Sequence, residues 1–149
     1  MRPSVHLGAS AVISLTLFAV TRSPGLAGIS FLSGTLLDLD HVLDYIREYG
    51  IPVNPKKFFR TFYGNRFRKY IFIFHAWEWL PVLYFGSQVS GWHTVPVGLL
   101  IGFLHHMVID QAGNGVTSGA YFFIWRASRR FTLECIVRRE VLRKSHGQK

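Results

Sequence analysis

The stretch LAGISFLSGTLLDLDHVLDYI, Leu26–Ile46, is uncharged as far as Leu37 and then meets Asp38, Asp40, His41 and Asp44 in quick succession. A helix needs roughly 20 residues, at about 1.5 Å each, to cross a bilayer. The uncharged part is too short for that, so this segment spans only if it carries the Asp38-Leu39-Asp40-His41 run with it. The same tension recurs along the chain. His6–Val20, Tyr70–Val89 and Thr94–Ala112 are also mostly apolar; the third of the four segments must absorb His75 and Glu78, and the fourth His105, His106 and Asp110. The reading is an all-α integral membrane bundle of about four transmembrane helices, with ionisable groups at membrane depth.

Bulk composition agrees. Hydrophobic residues make up 49% and aromatics 15%, with a mean hydropathy of +0.22, high for a soluble domain that must also present a polar surface. The 149 residues form one domain's worth of chain without internal repeats. Thr21-Arg22-Ser23-Pro24-Gly25 separates the first two segments. The first is read as a retained helix rather than a secretory signal, because no small-x-small cleavage site precedes Thr21 and His6 interrupts its start. The single Cys135 excludes an intrachain disulfide or a CxxC metal knuckle.

Seventeen Lys and Arg against eight Asp and Glu give a formal net charge of +9. The basic residues gather in the connection between the second and third segments (Arg47, Lys56, Lys57, Arg60, Arg66, Arg68, Lys69) and in the tail after Trp125 (Arg126, Arg129, Arg130, Arg138, Arg139, Arg143, Lys144, Lys149). By the positive-inside rule both termini and the long middle connection are cytoplasmic, which requires an even number of crossings. Topology and contact with anionic lipid headgroups then account for the charge, and no nucleic-acid partner is needed. Gly113-Asn114-Gly115 reads as a helix stop, so residues 1–115 form the membrane domain. Residues 116–149 are expected to be an interfacial segment, Tyr121–Trp125, followed by a basic surface-lying helix over Phe131–Leu142. Oligomeric state leaves no trace in the sequence.

Five of the eight acids lie inside the apolar segments: Asp38, Asp40, Asp44, Glu78 and Asp110. Asp38 stands three before His41 and Asp40 beside it, His75 three before Glu78, and His106 four before Asp110; spacings of three or four share a helix face. With the N-terminus inside, all these groups and His6 fall at the cytoplasmic end. Each acid at membrane depth costs about 2.5–3.5 kcal/mol near the bilayer centre, and Lys and Arg are almost absent nearby, so a divalent cation is the expected counter-charge. Mixed His/carboxylate ligands without Cys suit zinc first, with manganese or non-haem iron next. The four-residue spacing to Asp110 favours His106 over His105 as a ligand. His93 and His146 are read as interfacial and solvated, Asp44 as a solvated helix-end acid, and Trp77, Trp79 and Trp92 as interface anchors.

Leu37-Asp38-Leu39-Asp40-His41 resembles the (P)DLDH motif of membrane-bound metal-dependent hydrolases of the bacterial inner membrane, a family distantly similar to zinc-dependent phospholipase C. His6, Asp38/Asp40/His41, His75 and His106/Asp110 match its pattern in order over residues 1–115; Leu37 stands where proline is frequent, and Phe74–Glu78 departs from the usual second motif. The resemblance implies a metal held by His6, Asp40, His41, His75, His106 and Asp110, with Asp38 or Glu78 as general base, and hydrolysis of an ester or phosphoester, a phospholipid among the candidates. The alternative is a non-catalytic protein that binds or conducts a metal ion or proton.

Overall fold

The computed structural model describes residues 3–51, 54–64 and 67–141. These residues are all-helical: α1 Pro3–Thr21, α2 Pro24–Leu36, a 3-10 turn Leu37–Leu39, α3 Asp40–Tyr49, α4 Pro55–Tyr63, α5 Trp79–Val89, α6 Thr94–Gly113, α7 Phe123–Ser128 and α8 Leu133–Ile136. Three stretches are long and apolar enough to cross a membrane, Pro3–Thr21, Pro24–Tyr49 and Thr94–Gly113. By contacts the chain divides into two units, Met1–Asp38 with Ala76–Asn114, and Leu39–His75 with Gly115–Lys149. Arg66, Arg143, Lys144, His146 and Lys149 of the basic stretches and Leu142 of the expected tail helix lie outside the described residues.

The helix starts follow local chemistry. Ser23 caps α2, its Oγ accepting the Leu26 N–H at 3.3 Å with Pro24 in the first turn, and Asn54 caps α4 by accepting from the Lys56 and Lys57 amides at 3.0 and 3.2 Å. Pro81 explains why the third apolar segment is not a spanning helix. It lacks an N–H and its ring would strike the carbonyl four residues back, so it is tolerated only in a first turn. The helix accordingly begins at Trp79 and has 11 residues, roughly 16 Å, about half the hydrocarbon core. His75 and Glu78 therefore do not share a helix face as the spacing suggested: His75 lies in irregular chain and Glu78 is the residue before α5.

The first unit is inside-out relative to a soluble domain. Buried positions recur every fourth residue: His6, Ser10 and Ser14 on α1, Ser30 and Gly34 on α2, and Gly98, Gly102, His106 and Asp110 on α6. Ser10 and Ser30 are 0% exposed, whereas Val12 and Leu15 are 65% and 68% exposed. Outward apolar faces and an interior of small and polar residues are what a lipid solvent selects, since helices there associate through close packing rather than through hydrophobic burial. A Cβ on Gly102 would stand 2.5 Å from the Ser30 carbonyl oxygen and 2.5 Å from Ser33 Cβ, so α2 and α6 meet backbone to backbone.

The second unit packs Tyr45, Phe67, Tyr70, Ala120, Ile136 and Val137 into an aromatic-rich core, flanked by Phe58, Phe62, Phe72 and Trp125. Burial pushes the Tyr70 phenol pKa up, keeping it neutral there. The expected tail helix over Phe131–Leu142 is not continuous. Arg130 and Phe131 take left-handed backbone conformations, α8 has four residues, and Val137 turns out to bridge Val116. Pairing with chain-distant backbone replaces further helical turns.

Gly102→Ala is expected to lower stability in detergent by about 1–3 kcal/mol through overpacking. Gly28→Ala, where an added Cβ meets nothing within 4 Å, leaves the thermal midpoint unchanged or slightly higher. Equal melting curves for the two variants contradict the close α2–α6 contact.

Candidate metal centre

Within the first unit, His6 from α1, Asp38 from the turn after α2, and His106 and Asp110 from α6 converge, each offering one donor atom within 4.8 Å of all the others. His6 Nε2 is 3.0 Å from Asp110 Oδ1, and His106 Nε2 is 3.6 Å from both Asp38 Oδ1 and Asp110 Oδ2. Ligands placed about 2.0–2.1 Å from a tetrahedral zinc are separated by roughly 3.4 Å from one another, so these spacings fit a shared ion. The two imidazoles stack with centroids 4.1 Å apart at 19°.

Hydrogen bonding fixes what the atoms can be. His106 Nδ1 lies 2.8 Å from the Gly34 carbonyl oxygen, which can only accept, so Nδ1 carries a proton. In the neutral ring Nε2 then presents a lone pair, and it faces two carboxylates. At 3.6 Å neither contact is a hydrogen bond. The 3.0 Å approach of His6 Nε2 to Asp110 also lacks hydrogen-bond alignment. Acceptors aimed at acceptors are repulsive unless a cation lies among them, and the outward N–H of His106 on a backbone carbonyl is the usual way a protein orients a metal-binding imidazole. These buried His and Asp groups could hold a metal ion. Exposure is unequal: the His6, His106 and Asp110 side chains are at most 1% exposed and that of Asp38 is 21%.

Not every residue expected at the site is there. Asp38 and Asp40 are two apart, so they cannot share a helix face, and Asp40 points into the second unit. Its Oδ2 accepts from the Phe74 amide at 2.7 Å and the His75 amide at 3.3 Å, and lies 3.3 Å from His75 Nδ1. One turn on, Asp44 Oδ2 accepts from the amides of Ile71 and Phe72 at 2.8 and 3.3 Å, and Oδ1 pairs with Arg47 at 3.3 Å. Another turn on, Glu48 accepts from the Arg68 amide at 3.0 Å. Asp40, Asp44 and Glu48 thus form a carboxylate ladder along α3 that receives the N–H groups of the irregular 68–75 segment. Two of its carbonyls, Phe72 O and His75 O, are met by the fully buried Arg126, whose guanidinium also donates to Ala120 O, all at 2.7–2.8 Å. Asp44 is therefore a buried backbone partner, not a solvated acid. His41 stacks on His75 at 4.7 Å and meets Phe62 and Phe72.

Glu78 belongs to the first unit, with Oε2 buried, but is not one of the four converging groups. Trp77 is no free anchor; its Nε1 donates to Gln111 Oε1 at 3.3 Å and its ring packs edge-on against Phe103. Trp79 and Trp92 are exposed, and His93 precedes α6 as an exposed residue. Sequence reasoning passed over Gly34, Ser10 and Arg126; the four-residue recurrence on α1 and α2 was the signal for the first two. Compared with protein-family models, curated proteins and solved structures, the chain matches none.

Asp110→Asn is expected to weaken metal retention by roughly 10-fold or more, measured as metal per chain after dialysis in detergent. Asp40→Asn keeps the metal and instead lowers the thermal midpoint. The reverse pattern would move the centre to the α3 ladder.

Proposed function

We propose that this chain is a membrane-embedded, metal-dependent hydrolase acting on an ester or phosphoester at the membrane interface, with zinc as the first candidate cation and manganese or iron next. The observation that carries the reading is the lone pair of His106 Nε2, held toward Asp38 and Asp110 by the bond from Nδ1 to Gly34. His6, His106 and Asp110 supply three buried ligands, the number that catalytic zinc sites use while keeping a fourth position open. A cation held there would supply a nucleophilic water at neutral pH. Asp38, the one partly exposed member, takes the proton of that water as general base. Glu78, the other candidate base, stands outside the converging group. The DLDH likeness supports the reading as a metal-dependent hydrolase, and with it a place in a bacterial inner membrane.

Charge separation supports the lipid setting. The unit formed by Met1–Asp38 and Ala76–Asn114 contains only Arg2 and Arg22 among its Lys and Arg residues, and the other 15 of the chain's 17 lie in Leu39–His75 and Gly115–Lys149. Three acids of that second unit, Asp40, Asp44 and Glu48, are turned onto backbone amides. Lys56, Lys57, Arg60, Arg129 and Arg130 stay exposed beside Phe59, Phe122 and Ile124. Anionic headgroups are the partner this composition fits, with both termini cytoplasmic. The basic interfacial tail belongs to the same picture.

One observation favours the ion-binding alternative. Ser14 and Ser30 have buried hydroxyls without a hydrogen-bond partner, and they continue the polar stripe away from the four ligands. A conducting protein would use such groups.

In detergent-purified protein, bound metal and turnover of a generic phosphodiester or carboxylester decide between them. Asp38→Asn is expected to retain metal while losing about 10²–10⁴-fold in turnover. Metal uptake into proteoliposomes without any turnover would reverse the ranking in favour of conduction.

A further inference from the structure

His105 sits beside a ligand but outside the converging group. Its Nδ1 is 2.9 Å from the Ile101 carbonyl oxygen, an acceptor, so Nδ1 carries the proton and Nε2 accepts. Ser10 Oγ, 2.9 Å from that Nε2, is therefore the donor. The bond ties α1 to α6 one helical turn from His6 and next to His106. It fits only because residue 34 is glycine: a Cβ there would run into the His105 imidazole and come within 2.6 Å of Ser10 Oγ.

We infer that the Ser10–His105 hydrogen bond, seated in the space Gly34 leaves, sets α1 in register with α6 so that His6 meets His106 and Asp110. Ser10 and His105 are thus positioning residues for the cation. The inference rests on the metal reading above. Two features single this bond out. The hydroxyls of Thr16, Thr21 and Thr35 turn back on their own helix, the first two donating to Val12 O at 2.9 Å and Leu17 O at 2.7 Å, the default in lipid. Ser10, like Ser33 with its bond to Leu99 O, forgoes that default to reach a different helix, and Ser10 alone of the two bonds a side chain next to a ligand. Second, α1 packs chiefly against α2 and only slightly against α6, so packing alone holds its single ligand weakly against the two that α6 provides. A nucleophilic serine would show the same Ser–His contact, but Ser10 is fully buried and has no route to a substrate.

The test is cobalt binding in detergent micelles, read as dissociation constant and as the visible ligand-field spectrum, with the metal-free melting midpoint measured beside it. Ser10→Ala and His105→Phe are expected to weaken Co²⁺ binding roughly 10–100-fold and to shift the visible bands. His105→Gln, which keeps an acceptor at similar reach, stays near the wild-type value, as does Ser14→Ala one turn further along α1. A purely structural role would move melting midpoints and leave the spectrum of the folded protein unchanged. Wild-type affinity and spectrum in folded Ser10→Ala would overturn the inference while leaving the metal site standing. Wild-type protein that takes up no cobalt or zinc would overturn the metal reading, and the positioning role with it.

Discussion

The first unit depends on one close approach, that of α6 to α2. Glycines at 98 and 102 let the helix backbones touch, and that proximity carries His106 to the Gly34 carbonyl. Once Nδ1 is committed there, Nε2 of the neutral ring presents its lone pair 3.6 Å from the carboxylates of Asp38 and Asp110. Small residues, a committed imidazole and a need for positive charge are successive consequences of the same contact. They also place the ligands: each stripe of buried residues, spaced by four, leads to a His or Asp, so ligand convergence and helix packing are one arrangement.

The second unit solves a different problem with similar residues. Among the described residues its 68–75 segment has no strand partner beyond the single Lys69–Thr132 bridge, and its part-buried amides and carbonyls need partners. The ladder Asp40, Asp44 and Glu48 takes the N–H groups, and Arg126 takes the carbonyls while lying 5.9 Å over the Phe72 ring centroid. Charged side chains here replace the neighbouring strand. Acidic residues of nearly identical sequence context thus divide between a group that could hold a cation, which takes Asp38, and backbone support, which takes Asp40 and Asp44.

Much of this was legible in the residues alone. The apolar segments, the inward placement of His6, His106 and Asp110, and the demand for a counter-charge follow from hydropathy and spacing. Asp38 and Asp40 part company, because residues two apart on a helix face different sides, and the Asp40 carboxylate is taken up by the Phe74 and His75 amides. The length of α5 was also readable: Pro81 forbids helix upstream of its first turn, and a hydropathy window averages that signal away. Arg126 could not be foreseen, since an arginine in a basic tail gives no hint that carbonyls of Phe72 and His75, from distant chain, will join that of nearby Ala120 around it. Its role is set by tertiary structure and not by neighbours.

X-ray absorption at the zinc edge of detergent-solubilised, zinc-loaded protein addresses the shared cation most directly. The account predicts a shell of nitrogen and oxygen neighbours at about 2.0–2.1 Å, with the outer-ring scattering of two imidazoles, falling to one in His106→Ala. A shell containing sulfur, or one that keeps both imidazoles after His106 is removed, would contradict it.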